Sequence, residues 1–581
     1  MNLKKKILFL TLLLPLQLFA EGISPEKAAA VAGTFWKESP AKVRLAAQAQ
    51  IQTRSLSREP AWYVFDNSDA PGFVIVSGED SVTPIIGYCN RGSYNPYFQP
   101  ENFKGWMEMW TDIIESRRLS LSTADATTRQ EWETVLAGDR EAVYGSSSTE
   151  LETAQWGQMD PYNYYCPSFS GSTCPTGCTA TATGIVMRYH QWPSCGTGTI
   201  PDYSYRDDDG VKREMKGREL GEAYDWENMP LEMGNDATIE QQKAVARLLY
   251  DIGLMIQSEY NAEGTGAYVD NVPPALEKYM SYDGSVEVHY CEYSTSDQWA
   301  SMLRDEMDSR GPVIYSAYSK DNGGHAFVLD GYNKTGKFRI NWGWDGDMNG
   351  YYAIPAFDEF TEGHTAILDI KPDEGGTSPG VLILDGKGIY TDTEEYATGV
   401  PFNAYCENVY NVGSRKIDAY VSLVKVNRAL EVQEVFDIDT VTFQAMYGGA
   451  FYYEPVVIET PVEIGDKLVM AYYTDEHPEW RFMSWDPASY TVGEIPIADS
   501  ETLEETTTVK YTSEKASLVI STKKEASFRL ENSSGEEVNK GLTAESGVLT
   551  VDCTKLPLDT YTLTVTKKQE KMTLKLKMGK L

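Results

Sequence analysis

The sequence is short of basic residues and of cysteine, and each shortage excludes a class of protein. Its 581 residues include 51 Lys and Arg against 86 Asp and Glu, which gives a formal net charge of −35 at pH 7. Nucleic acids and anionic membranes are bound through Lys and Arg patches, so the composition argues against both as partners. Eight cysteines are too few for a disulfide scaffold in a chain of this length.

Long apolar runs are also scarce. The first 22 residues, MNLKKKILFLTLLLPLQLFAEG, combine basic Lys4 to Lys6, an apolar stretch from Ile7 to about Leu16, and the small residue Ala20. This pattern predicts a cleavable secretory signal over residues 1–20, which is too short to span a bilayer. No later stretch approaches the ~18 apolar residues of a membrane helix. We therefore expect an exported protein without a membrane span.

What is present supports several folded domains. Hydrophobic residues make up 41% and aromatic residues 12% of the chain, enough to build real cores in about three to four domains. Composition places a polar linker exposed to proteolysis around GDREAVYGSSSTELETAQ and a hinge at PDEGGTSPG. The predicted units are 21–145 with mixed helix and strand, 146–371 with most of the motifs, and two strand-rich units at 381–495 and 505–581.

The last unit contains the clearest strand signal. In YTLTVTKKQEKMTLKLKM apolar residues alternate on either side of a polar turn, which predicts a β-hairpin. The apolar residues expected to match across it are Tyr561, Leu563 and Val565 on one strand and Met572, Leu574 and Leu576 on the other. Both C-terminal units are accordingly predicted to be small all-β sandwiches.

Four of the eight cysteines are crowded into 30 positions. Cys166, Cys174, Cys178 and Cys195 are separated by 7, 3 and 16 residues, which does not match the repeated close pairs of zinc sites. One or two local disulfides are plausible in an oxidising compartment, but their pairing is left open. The stretch DGDMNG imitates a calcium loop, yet its twelfth position is Ala356, where a carboxylate is needed. We predict no metal and no cofactor.

Cys178 has the local sequence of an activated thiol. In TGCTATATGIVMRYHQWP, apolar residues recur at helical spacing after Cys178, and Pro193 ends the run. This places Cys178 at the N-terminus of a buried helix, where free N–H groups and the helix dipole favour a thiolate. The alternative is a small buried core residue with no chemical role, so a partner base is needed to decide.

Of the five histidines, His325 has the most informative surroundings. The stretch DNGGHAFVLDGYNKTGKFRINWGWDG predicts two strands joined by a turn, which would return Asn341 and Trp342 close to His325. A polar acceptor and an aromatic shield are what a thiolate–imidazolium pair requires. A surface histidine on an ordinary hairpin is the alternative. Gln158, in the turn-rich WGQMDPYN, could join the Cys178 N–H as an oxyanion hole.

Taken in order, WGQMDPYN, TGCTATATGIVMRYH, GGHAFVLDGY and INWGWDGDMNGYY resemble the streptopain-like family of bacterial secreted cysteine peptidases over roughly residues 150–371. FVIVSGEDSVTPIIGYC similarly resembles the inhibitory prodomain of that family. The resemblance implies an α+β papain-like catalytic domain, an α+β prodomain that occludes its cleft, and two further all-β domains. It also implies a protein that is secreted or exported to the bacterial cell surface.

The resemblance also implies a role for individual residues. Cys178 would be the nucleophile, His325 the general base and acid, and Gln158 part of the oxyanion hole. Asn341 and Trp342 would orient and shield the histidine.

Substrate contacts are implied as well. The backbone of Gly324 would line the substrate cleft, and Thr265 and Gly266 would belong to a flexible wall of that cleft. The partners would be protein or peptide substrates and the chain's own prodomain.

Two other readings stay open from the residues alone. One is a surface adhesin or binding protein built on an inactive peptidase fold, although such a protein need not retain Cys178, His325 and Gln158 together. The other is a transglutaminase or amidase that uses the same Cys–His chemistry. The signal and the prodomain-like unit favour a protease, since a cell must restrain a protease during export.

Overall fold

The structure is a computed structural model of the full chain. The predicted signal, residues 1–20, lies outside the residues it describes. Those are 22–36, 42–50, 59–120, 123–145, 147–169, 171–207, 210–291, 294, 296–319, 323–354, 363–384, 388–413, 415–445, 447–485, 494–498, 506–512, 516–522, 526–542, 547–567 and 570–578. Within them no helix is long and apolar enough to cross a membrane.

The N-terminal region is a small α+β unit, as predicted. Its elements are α1 (Pro25–Trp36), β1 (Val43–Gln48), β2 (Trp62–Asn67), β3 (Ala70–Ser77), β4 (Ile85–Cys89), α2 (Glu101–Leu119), α3 (Ala126–Leu136) and α4 (Glu141–Tyr144). Helix α3 begins where Asp125 accepts a hydrogen bond from the Thr128 amide at 2.7 Å, which satisfies a free donor of the first turn. Helix α1 packs on β2 and β3 around buried Phe35, Val74 and Val76.

The central region contains a helical half and a sheet half. Its elements are β5 (Ser147–Glu150), β6 (Ser168–Phe169), β7 (Ser172–Thr173), α5 (Cys178–His190), β8 (Tyr203–Arg206), β9 (Lys212–Met215), α6 (Ile239–Met255), α7 (Val272–Met280), β10 (Glu287–Tyr290), α8 (Ser296–Ser309), β11 (Val313–Ser319), β12 (Gly323–Asn333), β13 (Phe338–Asn341), β14 (Gly350–Tyr352) and β15 (Thr365–Leu368). Helix α5 packs against both α6 and β12 and so joins the two halves.

The N-terminal and central regions share one sheet. Its strand order is β1-β2-β3-β4-β14-β13-β12-β11-β15-β10, with β5 also paired to β12. The junction is antiparallel: Tyr88 and Gly87 of β4 lie opposite Tyr351 and Tyr352 of β14. The N-terminal region therefore continues the central sheet through backbone hydrogen bonds.

The segment predicted to be an exposed linker is partly built into this sheet. Glu141–Tyr144 is helical, and Ser147–Glu150 pairs with the far end of β12. Strand β12 has 11 residues and pairs with β11 only from Gly323 to Leu329, which leaves its last residues an edge that β5 covers. The Gly, Ser and Glu composition carries no sign of this pairing, so the prediction of a free linker was wrong for these residues.

The C-terminal region is rich in strands, which form two groups of sheets. The first comprises β16 (Leu382–Leu384), β17 (Ile389–Thr391), β18 (Pro401–Asn411), β19 (Ile417–Val426), β20 (Val432–Phe443), β21 (Gly448–Val457), β22 (Lys467–Tyr473), β23 (Arg481–Phe482), β24 (Ser484–Trp485) and β25 (Glu494–Pro496). The second comprises β26 (Thr508–Thr512), β27 (Ser517–Ser521), β28 (Ser527–Glu531), β29 (Glu537–Leu542), β30 (Val548–Asp552), β31 (Asp559–Lys567) and β32 (Glu570–Met578). Each unit has two sheets around one apolar core.

The predicted C-terminal hairpin is confirmed in its register. Tyr561 lies opposite Leu576, Leu563 opposite Leu574, and Val565 opposite Met572. Tyr561, Leu563 and Val565 are fully or almost fully buried, as the alternation requires.

The predicted hinge before the first sandwich is held against the central region. Asp283 accepts hydrogen bonds from the amides of Glu374 at 2.8 Å and Gly376 at 3.0 Å. Beyond the hinge, Arg415 forms an ion pair with Glu277 at 2.8 Å. The segment predicted to be a hinge is therefore anchored, because the buried Asp283 carboxylate accepts hydrogen bonds from its backbone.

Candidate active site

Cys178 is the first residue of α5. The preceding Gly177 has φ +89°, and a Cβ placed on it would lie 2.8 Å from the carbonyl oxygen of Thr265. Glycine is required by both the backbone conformation and this close approach. The turn therefore places Cys178, which is half-buried, at the helix N-terminus, as the sequence predicts.

His325 reaches Cys178 from the neighbouring strand. The Cys178 thiol is hydrogen-bonded to the His325 side chain and accepts a hydrogen bond from the Ala326 amide at 3.4 Å. Burial alone would raise the pKa of Cys178, but the His325 and Ala326 hydrogen bonds outweigh it, so the pKa is lowered from its ordinary value. These hydrogen bonds favour the thiolate form of Cys178.

A cavity of about 720 Å³ opens beside the Cys178–His325 pair. Besides the pair, the sequence predicts six site residues, and four of them line the cavity: Gln158, Gly324, Thr265 and Gly266. Gln158 is tied to the nucleophile's turn, because its carbonyl oxygen accepts a hydrogen bond from the Thr176 amide at 3.0 Å.

The other two predicted residues, Asn341 and Trp342, do not line the cavity; Asn341 is the last residue of β13, which pairs with the strand that carries His325. Both hydrogens of the Asn341 side-chain amide are used, by Thr153 Oγ1 at 3.1 Å and the Ala154 carbonyl at 2.8 Å, and its Oδ1 accepts from the Gly343 amide at 3.2 Å. Asn341 therefore fixes the segment that leads to Gln158, and these bonds do not serve the predicted task of orienting His325. Its Cα partner across the sheet is Val328, three residues beyond the histidine.

Trp342 belongs to the aromatic core of the sheet half. Its ring is fully buried and lies 5.6 Å from the ring of Phe103 and 6.3 Å from that of Trp106, both on α2. The tryptophan that lines the cavity is Trp344. Its Nε1 is buried and has no hydrogen-bond partner among the described residues. The role of Trp342 as the shield therefore stays a prediction, and Trp344 is a second candidate because both fit the NWGW motif.

The N-terminal region enters the site through Asn102, near the start of α2. The Asn102 side chain is 3% exposed and lines the cavity. Its Nδ2 donates to the Trp342 carbonyl at 2.7 Å and to the Ala326 carbonyl at 3.4 Å. Ala326 thus contacts Cys178 through its N–H and the N-terminal region through its C=O. No sequence pattern marked Asn102, because its position depends on how α2 packs against β12.

The cysteines around the site form no disulfide. The described residues also contain no cluster of metal ligands. All eight cysteines are free thiols. Burial and the neighbouring Cys174 raise the pKa of Cys166 to about 12, so this thiol stays protonated at neutral pH. Among the described residues no group of three or more His, Cys, Asp or Glu could hold a metal ion. In the calcium-like stretch, Asp345 instead accepts a hydrogen bond from the Tyr162 hydroxyl at 2.6 Å.

Comparison with known proteins identifies two regions. Residues 156–352 match the Peptidase C10 family, and residues 20–114 match the Spi protease inhibitor. Streptopain of Streptococcus pyogenes is 29% identical over 338 residues, which is 53% of this chain and 80% of streptopain. The thiol protease/hemagglutinin PrtT of Porphyromonas gingivalis is 29% identical over 311 residues, 52% of this chain, and the chain spans only 35% of the length of PrtT.

Among solved structures, active wild-type interpain A of Prevotella intermedia, a cysteine protease, is 32% identical. The match covers 38% of this chain and 93% of that structure, with a TM-score of 0.35. The chain therefore contains a Peptidase C10 family domain at residues 156–352, preceded by a Spi protease inhibitor region at residues 20–114, and the similarity to streptopain supports a cysteine peptidase.

Proposed function

We propose that the chain is an exported zymogen whose peptidase domain, about residues 146–371, hydrolyses peptide bonds of extracellular proteins through a Cys–His thioester mechanism. The observation that carries the proposal is the pair of hydrogen bonds on the Cys178 sulfur, from His325 and from the Ala326 amide, at the mouth of a cavity. A lowered thiol pKa next to an imidazole is the requirement of a nucleophilic cysteine.

In the first half of the reaction, the Cys178 thiolate attacks the carbonyl carbon of the scissile peptide bond. The oxyanion that forms accepts hydrogen bonds from the Gln158 side-chain amide and the Cys178 backbone N–H. His325, as imidazolium, gives its proton to the leaving nitrogen as the C–N bond breaks. The amine product departs and the acyl group stays on the sulfur as a thioester.

In the second half, neutral His325 takes a proton from a water molecule. The resulting hydroxide attacks the thioester carbonyl and forms a second oxyanion at the same position. The C–S bond then breaks, which releases the carboxylic acid product and restores the thiolate–imidazolium pair. Trp344 shields this pair from bulk water on the cavity side, while Asn341 holds the segment that carries Gln158.

We further propose that the N-terminal region, up to about residue 145, holds the enzyme latent. Asn102 lines the cavity and donates a hydrogen bond to the carbonyl of Ala326, whose N–H donates to the Cys178 sulfur. A substrate chain would have to displace it. Residues from Ser147 onward are paired to β12, so we expect the maturation cut before that strand, between Arg140 and Ser147.

The test uses the precursor, residues 21–581, as wild type and as the variants Cys178→Ala and Cys195→Ala. Each is incubated with a thiol reductant while its mass is followed. The wild type and Cys195→Ala, whose half-buried cysteine does not line the cavity, should lose a fragment that ends between Arg140 and Ser147. Cys178→Ala should stay intact. Equal processing of Cys178→Ala would contradict the assignment of the nucleophile.

A further inference from the structure

One wall of the active-site cavity carries carboxylates that have no cationic partner. Glu259 and Glu263 line the cavity and are exposed, and neither forms an ion pair with any residue that the structure describes. Asp207 and Asp270 line the same cavity, but Asp207 forms an ion pair with Arg213 at 2.6 Å and Asp270 accepts a hydrogen bond from the Tyr290 hydroxyl at 2.5 Å. The two glutamates are therefore available to a ligand.

The cavity contains little positive charge to offset them. Apart from His325, Arg206 is the basic residue among the described residues that line it, and one of its guanidinium nitrogens donates to the Gly210 carbonyl at 2.8 Å. The whole chain is strongly acidic as well. The electrostatic potential at this wall consequently favours a cationic group and opposes an anionic one.

Apolar side chains also line the cavity. Tyr205, Ala267 and Val269 are half-buried and line the cavity, and Tyr268 lines it with 71% of its surface exposed. A Lys or Arg side chain complements this lining, because its methylene stem packs on apolar surface while its charged head reaches the carboxylates of Glu259 and Glu263. An exposed tyrosine ring adds a cation–π contact.

A second feature of the wall points independently to a bound peptide. Thr265 is 8% exposed, and its Oγ1 is buried without a hydrogen-bond partner among the described residues. A buried hydroxyl without a partner is costly unless a ligand supplies one. On either side of it, Gly264 and Gly266 have open space where a Cβ would stand, so an extended peptide can approach the backbone here.

We infer that residues 259–270 form a substrate subsite that selects a lysine or arginine side chain, with Glu259 and Glu263 as the specificity-determining residues. The methylene stem lies on Tyr205 and Val269, the cationic head lies between the two carboxylates, and Thr265 bonds a polar atom of the substrate. This inference rests on the proposed function, because the cavity selects peptides only if the enzyme cleaves them.

The test measures kcat/KM of the matured enzyme, with its C-terminal units retained, on fluorogenic peptides. The peptides differ at one position at a time, from the first to the fourth residue before the cut. Each position carries Lys, its neutral near-isostere Met, or Glu. At one position Lys should be preferred over Met by about five-fold at low salt, and Glu should be the poorest. The preference should shrink as NaCl is raised, since the carboxylates are exposed.

The double variant Glu259→Gln/Glu263→Gln should reduce the Lys/Met ratio of kcat/KM to about one. Glu232→Gln, an exposed acid that does not line the cavity, is the matched control and should keep the preference. No preference for Lys at any position, or one that survives in the double variant, would overturn the inference while leaving the proposed function intact. If the wild type cleaves none of the peptides, the proposed function fails and the inference with it.

Discussion

The two flanks of the peptidase domain are attached to it in different ways. The N-terminal region shares its sheet through β4 and β14, adds Phe103 and Trp106 to the aromatic core around Trp342, and places Asn102 in the cavity. The first C-terminal sandwich is joined by side-chain and loop contacts such as Arg415–Glu277, and none of its described residues lines the cavity. This contrast is the basis of our proposal that the N-terminal flank restrains the active site, whereas the C-terminal flank contacts the peptidase domain away from the cavity.

The largest effect on kcat/KM should come from replacing the Cys178 sulfur by oxygen, and the same exchange at a cysteine of the last sandwich is its control. Cys178→Ser should lower kcat/KM by about 10³-fold or more, because an alcohol is far less ionised than the thiol that His325 supports. Cys553→Ser changes a fully buried cysteine in the last sandwich and should leave kcat/KM within about two-fold. Both variants are first trimmed by an added protease, because Cys178→Ser is not expected to process itself, and an equal loss of kcat/KM in the two would contradict the comparison.

Iodoacetamide should alkylate Cys178 in the peptidase domain about 100-fold faster than Cys406 in the first sandwich. The pKa of Cys178 is lowered, so its thiolate persists below pH 9 and disappears only as the pH falls through that lowered value. Burial raises the pKa of Cys406, in the first sandwich, to about 12, so this thiol stays protonated until the solution is strongly alkaline. At pH 6 to 7, iodoacetamide should label Cys178 of the matured enzyme first, as followed by peptide mass spectrometry. Labelling of Cys406 at a similar rate would contradict the thiolate assignment.

Weakening the N-terminal junction should release latent activity. Trp106 packs against Trp342 and Tyr352, and its truncation to alanine removes about 3 to 5 kcal/mol of packing free energy. The uncut Trp106→Ala precursor should therefore hydrolyse a short fluorogenic peptide about ten-fold faster than the wild-type precursor. Trp36→Ala, at the end of α1 and outside this cluster, is the control and should stay latent. Unchanged latency in Trp106→Ala would show that the junction does not restrain the site.

The smallest effect should follow from weakening the C-terminal attachment. Arg415→Ala removes the ion pair with Glu277 and the hydrogen bond to the Gly284 carbonyl. A partly exposed pair contributes at most about 1 kcal/mol, so the sandwich should become more susceptible to limited proteolysis while latency and kcat/KM stay unchanged. A marked rise in precursor activity would show that this flank also restrains the enzyme.

The chemistry of the site could be predicted from the sequence because it follows from local pattern. Cys178 after Gly177, at the head of an apolar helical repeat, and His325 at the start of a hairpin fix the nucleophile and its base. The alternation in the last hairpin likewise predicts its register, because side chains on a strand face opposite sides in turn. These signals depend on residues within one or two elements.

What the sequence did not reveal depends on contacts between distant segments. Trp342 and Trp344 stand two apart in one motif, and only the packing of α2 decides which of them joins the core. Asn102 reaches the cavity from a helix over 200 residues away from Ala326 in the chain. The polar segment before Leu151 becomes a strand because β12 has an uncovered edge. Composition describes such segments as linkers, although their backbone groups find partners in the folded protein.

The most direct test of the comparison is the rate at which an irreversible epoxide inhibitor of cysteine peptidases modifies Cys178, measured by intact mass on the uncut and the matured protein. We expect one adduct per chain on the matured enzyme, and modification of the uncut protein at least about 100-fold slower, because Asn102 and α2 restrict the cavity. Equal rates on the two forms would contradict the claim that the N-terminal region restrains a competent active site.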